Sequence, residues 1–340
     1  MNILIDISHP AHVHFFKNAI RIWEEHGHAV KITARDKDVT LKLLDDYGLS
    51  YKSLSKIGQG FWGLSFELLQ HESKLVSIAK NFRADVILEI GGTFIVHAGK
   101  LLGIKTVVFS DTEHAKLSNL ITFPFASYIC TPDSYKDDLG KKHIKYPGYQ
   151  ELAYLHPDRF LPNPDTLSVA GLELTEKFFI LRFVSWGASH DIGQKGLSVA
   201  EKIKLVELLK EQGKVLITSE GSLPVALEPY QIHVSPKHIH DLLYYSSMYV
   251  GEGATMATEA AILGTPSIYI NPLGSGNLDE IIHKYELIYH YPSGELALAA
   301  ISDLVNKADL KEVHKLRQKK MLDEKIDVTR WMVNFVESLQ

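Results

Sequence analysis

Short apolar runs alternate along the chain with stretches whose apolar residues recur every three or four positions. This is the pattern of β-strands joined by amphipathic helices into parallel sheets. In the first half the runs predict strands at Asn2–Ile7, Ala29–Ala34, Tyr51–Leu54, Asp85–Ile90, Thr106–Phe109 and Tyr128–Thr131. Helical patterns fall between them at His12–His26, Asp38–Tyr47, Phe61–Phe82, Thr93–Leu102 and near Glu113–Leu120. Gly27, Gly48 and Gly103 stand where helix C-caps are expected.

The rhythm breaks over Tyr146–Asp165, which holds Pro147, Gly148, Pro157, Pro162 and Pro164. It then restarts with strands at Phe178–Val184, Lys214–Thr218, Gln231–Val234, Met248–Gly251 and Ser267–Ile270. Helices are expected at Leu197–Gln212, Lys237–Tyr245, Met256–Leu263, Asp279–Lys284, Gly294–Lys307, Leu310–Leu322 and Val328–Leu339. The last carries Trp331, Val333, Phe335 and Val336, too apolar for a free tail. The expected organisation is α/β: a Rossmann-like domain over 1–147, a linker over 148–170 and a second Rossmann-like domain over 171–326. The final helix, 327–340, is expected to pack back on the first domain. A chain of 340 residues exceeds the ~250–300 at which a single core stops growing, which agrees with two domains.

Net charge is −5, so composition gives no reason to expect a nucleic-acid partner. The single cysteine, Cys130, excludes an intramolecular disulfide and any cysteine-based zinc site. Asp6 and His9 interrupt the first apolar stretch, and no run approaches the ~20 apolar residues that span a bilayer. A soluble, cytoplasmic protein is expected, with peripheral membrane contact and homodimerisation left open.

Ligands of doubly wound sheets bind outside the carboxyl ends of the strands, so the loops after strands carry the candidate chemistry. The first loop bunches His9, His12 and His14. A metal site, a general base and a hydrogen-bonded helix start all fit three histidines there, but their spacing is not that of a helical zinc motif. The second, Glu89-Ile90-Gly91-Gly92-Thr93-Phe94, allows close backbone approach at Gly92 and a helix cap at Thr93. The third holds Asp111, Glu113 and His114, suited to proton transfer or to capping the following helix. The fourth runs from Arg182 to Gly196 through Ser189 and His190. Arg182 and Lys195 can balance phosphate charge there.

The fifth loop is the most specific. A strand enters Gly251-Glu252-Gly253, and a helix begins with Ala254, Thr255 and Met256. Amides at a helix N-terminus, at the positive end of its dipole, bind diphosphate, and Glu259 one turn on can accept from a ribose diol. Met256 stands where a dinucleotide motif has its third glycine, so a nucleoside diphosphate fits better than a dinucleotide.

Gly253 to Pro266 resembles the donor-binding segment of the GT-B superfamily of nucleotide-sugar glycosyltransferases and UDP-N-acetylglucosamine 2-epimerases. The opening Asn2-Ile3-Leu4-Ile5-Asp6-Ile7-Ser8-His9-Pro10-Ala11-His12 and the segment Pro147–Leu155 resemble a family catalogued as domain of unknown function 354. The resemblance implies a GT-B fold with two Rossmann-like domains facing a central cleft. It also implies a nucleotide base near His233 and His238, a diphosphate near Gly253–Met256 and a ribose on Glu259. Ser189-His190-Asp191 looks like the epimerases' Thr-x-His-Arg loop, but Asp191 replaces the arginine, and His9-Pro10-Ala11 replaces Arg-Pro-Glu in the first loop. These departures favour transfer over epimerisation.

The expected activity is metal-independent glycosyl transfer, without a cofactor, from a nucleotide diphosphate sugar, UDP-linked, to an unidentified acceptor. His12 would be the base, and Ile57–Leu64 is an acceptor lip, a lipid-facing or dimer-contacting patch, or plain structural packing. The alternatives are a nucleotide-sugar epimerase using Asp111, Glu113 and His190, and a non-catalytic sugar-nucleotide-binding protein.

Overall fold

The computed structural model describes residues 1–58, 60–113, 115–184, 196–272 and 276–340, without the side chains of residues 61 and 277. The chain divides into two compact units, Met1–Arg159 with Lys325–Gln340, and Phe160–Glu324.

Unit 1 is built from β1 (Asn2–Ile7), α1 (Pro10–Glu25), β2 (Ala29–Asp36), α2 (Thr40–Asp46), β3 (Tyr51–Lys56), α3 (Gly60–Phe82) and β4 (Val86–Ile90). It continues with α4 (Val96–Leu102), β5 (Lys105–Phe109), α5 (Lys116–Thr122), β6 (Tyr128–Pro132), β7 (His143–Tyr146) and α6 (Leu152–Leu155). The seven strands form one parallel sheet in the order β3-β2-β1-β4-β5-β6-β7. The chain steps outward from β1 to β3, then crosses back through α3 to lay β4 against the other side of β1. Right-handed crossovers therefore place α1 and α2 on one face and α3 to α5 on the other. Leu75, Ile78 and Ala79 of α3 are buried against Leu4, Ile87 and Val108 of the sheet.

Unit 2 contains α7 (Asp165–Val169), β8 (Phe178–Phe183), α8 (Val199–Lys210), β9 (Lys214–Ser219), α9 (Ile239–Tyr245), β10 (Met248–Gly251) and α10 (Ala254–Ile262). After these come β11 (Ser267–Ile270), α11 (Gly276–His283), β12 (Ile288–Tyr291), α12 (Gly294–Leu304) and α13 (Leu310–Glu324). Its parallel sheet has the order β12-β11-β10-β8-β9. Ser198 begins α8 with a reciprocal capping box to Glu201.

The last helix, α14 (Val328–Glu337), belongs to unit 1 and packs on α1 and α6. Val328, Met332, Val333 and Val336 are buried, each such side chain contributing about 1.5–3 kcal/mol. Trp331 packs 4.7 Å from Tyr146, Thr329 donates to the Ala153 carbonyl, and Ile326 N donates to Pro147 O at 3.0 Å.

Some elements differ from expectation. The stretch 231–234 is not a strand. A 3₁₀ turn at Val225–Tyr230 contains Pro229, and Gln231 makes only a single bridge to Ile217. The strands β7 and β12 are outside the sequence pattern. Each has four residues and sits at a sheet edge, with polar positions that break any apolar run. The stretch expected to be a plain connection contains α6, whose four residues are all buried. Among the described residues no helix is long and apolar enough to cross a membrane.

Candidate functional site

Each sheet has one place where neighbouring strands send their connections in opposite directions, and such switch points open a crevice at the carboxyl ends. In unit 1 it lies between β1 and β4, so the loop after β1 and the turn after β4 are neighbours. In unit 2 it lies between β8 and β10.

At the first switch point His9 caps α1, its Nδ1 accepting from Ala11 N at 3.2 Å, with Pro10 following as the first helical residue. His12 sits half-buried one turn on. Its Nδ1 lies 3.4 Å from both Ser8 N and Ser8 Oγ, and its ring centroid is 5.8 Å from that of His9. Burial lowers the His12 pKa well below the ordinary imidazole value, and the charges of His9 and Lys37 add to the effect. Ser8 Oγ donates in turn to Glu89 Oε1 at 3.3 Å, while Glu89 Oε2 accepts from Phe94 N at 3.1 Å. Burial raises the Glu89 pKa well above the usual carboxylate range, and Asp6 reinforces the shift.

The expected three-histidine cluster is in fact a pair. His14 turns into the helix packing, stacked 5.3 Å from Tyr154 and bonded to the Tyr47 hydroxyl at 3.2 Å. Thr93 does not cap α4, which begins at Val96. Its hydroxyl lies 3.5 Å from Ser118 Oγ. Gly92 is buried with φ +74°, and a Cβ there would collide with Val108 and Thr122 side chains, so close packing demands this glycine. Asp111 is no helix cap either, because α5 starts at Lys116 behind Ala115. Asp111 accepts from Thr112 Oγ1 at 2.9 Å and Glu113 from Lys136 N at 2.7 Å. Both carboxylates lie close enough to Tyr135 to help burial push its hydroxyl up to about 12.

Behind this loop lies a buried polar network that sequence reading missed. Asp6 accepts from Thr33 Oγ1 and meets His71 Nε2, whose Nδ1 contacts Ser55 Oγ at 2.7 Å. Ser55 also donates to Glu67, which holds Arg35 through two bonds of 2.6 and 2.7 Å. Glu67 and His71 are spaced i, i+4 on a buried helix face, and that spacing was the available signal. Asp36 and Asp38 make an Asp-x-Asp spacing that sequence reading passed over. Their carboxylates lie 3.6 Å from Lys56 Nζ and 3.9 Å from Lys37 Nζ.

At the second switch point β10 ends in Gly251, and Gly253 caps α10 with no side-chain bond. Ala254, Thr255 and Met256 form its first turn, with Thr255 exposed. Arg182 of β8 lies in register with Gly251. It is engaged by Glu220 Oε1 at 2.8 Å and Thr218 Oγ1 at 3.3 Å. Glu252, another residue missed from sequence, is buried and accepts from Val184 N at 3.2 Å and Leu197 N at 2.6 Å. It thereby ties together the chain on both sides of residues 185–195. Ser189 and His190 fall in that stretch and lie outside the described residues, as does His114. Glu259 is buried, its Oε1 3.0 Å from His240 Nε2. His238 Nδ1 lies 3.3 Å from Thr166 Oγ1, and His233 is exposed.

Among the described residues one group, His156, Asp158 and Asp327, brings potential metal ligands within 4.8 Å of one another. Asp327 is already committed, to the Arg159 guanidinium at 2.6 and 2.8 Å and to the N-terminus of α14, so an internal cation occupies that position.

A family model described as "Protein of unknown function (DUF354)" matches residues 1–339. The chain belongs to the DUF354 family. Another relative, the uncharacterized protein MJ0665 of Methanocaldococcus jannaschii, is 24% identical over 301 residues, covering 85% of this chain and 87% of its own. The DUF354 chain also shares its fold with solved structures. The UDP-GlcNAc 2-epimerase of Neisseria meningitidis, bound to UDP-GlcNAc, superposes with a TM-score of 0.72 at 11% identity, over 99% of this chain and all 100% of the other. The Streptomyces sp. SF2575 glycosyltransferase SsfS6, complexed with thymidine diphosphate, gives 0.63 at 14% identity over 98% and 99% of the two chains. The fold of this DUF354 protein is therefore GT-B.

Proposed function

We propose that this DUF354 protein transfers a sugar from a nucleoside diphosphate sugar, UDP-linked, to an acceptor hydroxyl. The observation that carries the reading is the N-terminus of α10 at the switch point of unit 2, capped by the bare Gly253 and neighboured by Arg182. Its amides and dipole suit the leaving diphosphate, and Arg182 would turn from Glu220 to the phosphate. Glu259 would hold the ribose while retaining His240, with His233 and His238 near the base. The nucleotides bound in related folds, UDP-GlcNAc and thymidine diphosphate, support this class of donor.

In unit 1 His12 would serve as base. Its lowered pKa keeps it neutral at working pH, and its Nδ1 is turned to Ser8. The acceptor hydroxyl gives its proton to His12 and its oxygen bonds the anomeric carbon, while the bond from that carbon to the diphosphate breaks. Epimerisation is a second reading, favoured by Glu89, a buried carboxyl whose raised pKa suits it to holding a proton near Ser8 and His12.

A thermal-shift series tests the donor assignment. UDP at a hundredfold its dissociation constant should add ~2.7 kcal/mol of stability, and NAD and ATP should add none. Equal shifts with NAD would sink it. Incubating a donor sugar nucleotide alone in deuterated water separates the two chemistries, since deuterium at C2 of the sugar marks epimerisation and its absence supports transfer.

A further inference from the structure

The outer face of unit 1 formed by α3, α4 and α5 is apolar at positions that helices normally give to polar residues. On α3, Trp62, Phe66 and Leu69 recur at i, i+4 and i+7, and the first two are 82% and 68% exposed. On α5, Leu117 and Leu120 are 76% and 70% exposed, and Ile121 extends the same stripe. Helix α4 joins the stripes. His97 Nδ1 meets Glu72 Oε1 at 2.8 Å, one turn beyond Leu69, and the His97 ring lies 4.9 Å from that of Phe125, just past α5. Leu101, one turn further along α4, is exposed as well. Single exposed apolar residues are ordinary, but a connected set of this extent marks an interaction surface.

Charge decides the partner. The acidic residues these three helices carry are Glu67 and Glu72, the first buried against Arg35 and the second bonded to His97. Lysines outnumber acids at the edge: Lys100 on α4, Lys116 at the start of α5, and Lys141 and Lys142, where Lys142 Nζ donates to Pro124 O at 2.7 Å beside Phe125, against Asp137 and Asp138, the latter accepting from Gly140 N. We propose that this face docks on an anionic lipid bilayer, the two apolar stripes entering the headgroup region and the lysines meeting lipid phosphates. A second copy of the chain suits it less, since paired faces would bring two edges of net positive charge together. The proposal goes beyond the sugar chemistry and stands without it.

Co-sedimentation of the full chain with vesicles tests it. Vesicles about one-third phosphatidylglycerol should bind at least about tenfold more protein than phosphatidylcholine alone, and added salt should weaken the binding. The paired substitutions Trp62→Ser with Phe66→Ser, and Leu117→Ser with Leu120→Ser, should each lower binding about tenfold or more. Melting temperature should stay unchanged, because these side chains are exposed. Leu161→Ser, at a 90% exposed position of unit 2, should bind as the parent does. Failure of the parent chain to bind anionic vesicles, or binding indifferent to both pairs, overturns the proposal. So does a dimer that the substitutions dissociate without vesicle binding, which would assign the face to a second copy.

Discussion

Asp6 of β1 and His71 of α3, 65 residues apart in the chain, meet with the imidazole Nε2 3.0 and 3.1 Å from the two carboxylate oxygens, both side chains shut off from solvent. Thr33 donates to the same carboxylate, and Phe94, on the turn after β4, stacks on the imidazole at 4.1 Å. One pair thus fastens α3 to the carboxyl end of β1 and to the turn after β4, whose Phe94 N donates to Glu89. The buried polar groups at the back of the switch point of unit 1 are bonded to one another.

Removing one member leaves the other buried without its partner. Asp6→Ala and His71→Ala should each cost about 3–5 kcal/mol, and the double variant should cost clearly less than the sum. Urea unfolding of the four proteins measures the coupling. Strict additivity would show that the two side chains do not act as a pair.

The alternation of apolar runs made the parallel sheets legible, because the central strands are buried on both faces and carry few polar positions, such as Asp6 and Glu89, to blur them. The edge strands β7 and β12 escaped for the converse reason: His143, Lys145 and His290 face partial solvent. The turn from β10 into α10 was legible because glycine and small residues serve that geometry locally. The Asp6, Arg35, Glu67 and His71 network was not, because its members come from β1, β2 and α3, and only the assembled sheet brings them together. Asp6 read as a break in an apolar run, although it accepts from Thr33 and meets His71 in the buried network.

Glu89 gives a pH signature. Its folded pKa lies above the unfolded value of about 4.3, so the native state binds the extra proton and stability falls as pH rises through the folded pKa. Glu89→Gln keeps an oxygen for Phe94 N and cannot ionise. Its melting temperature relative to the parent should therefore climb as pH increases above about 5. A difference that is flat or declines with pH would contradict the raised pKa.

Glu259 separates binding from folding. Its bond to buried His240 means that Glu259→Ala should lower stability by about 1–3 kcal/mol. Glu259→Gln keeps an acceptor for His240 and should fold nearly as the parent. Both should weaken UDP by ~1.5–3 kcal/mol in titration calorimetry, the loss expected for a charged hydrogen bond to the ribose. Parental UDP affinity in the glutamine variant would remove Glu259 from the donor site.

His12 should matter to chemistry more than to folding or donor binding. The capping bond of α1 comes from His9, so the most economical structural role for a histidine in this loop is already filled. His12→Ala should lower kcat by ~10²–10⁴, the usual loss of a general base. Affinity for UDP should stay within about threefold, roughly 0.6 kcal/mol, since the proposed diphosphate site, at the N-terminus of α10, belongs to unit 2. Because burial lowers the His12 pKa, its neutral form persists into mild acid. The acid limb of kcat/KM should therefore fall below about pH 6.5 and vanish in the variant, leaving a flat residual rate. His9→Asn keeps a capping side chain and should preserve the melting temperature, whereas His9→Ala should lower it by the equivalent of ~1 kcal/mol. A His12→Ala variant that turns over normally would move the base to Asp111 or Glu113, the carboxylates after β5.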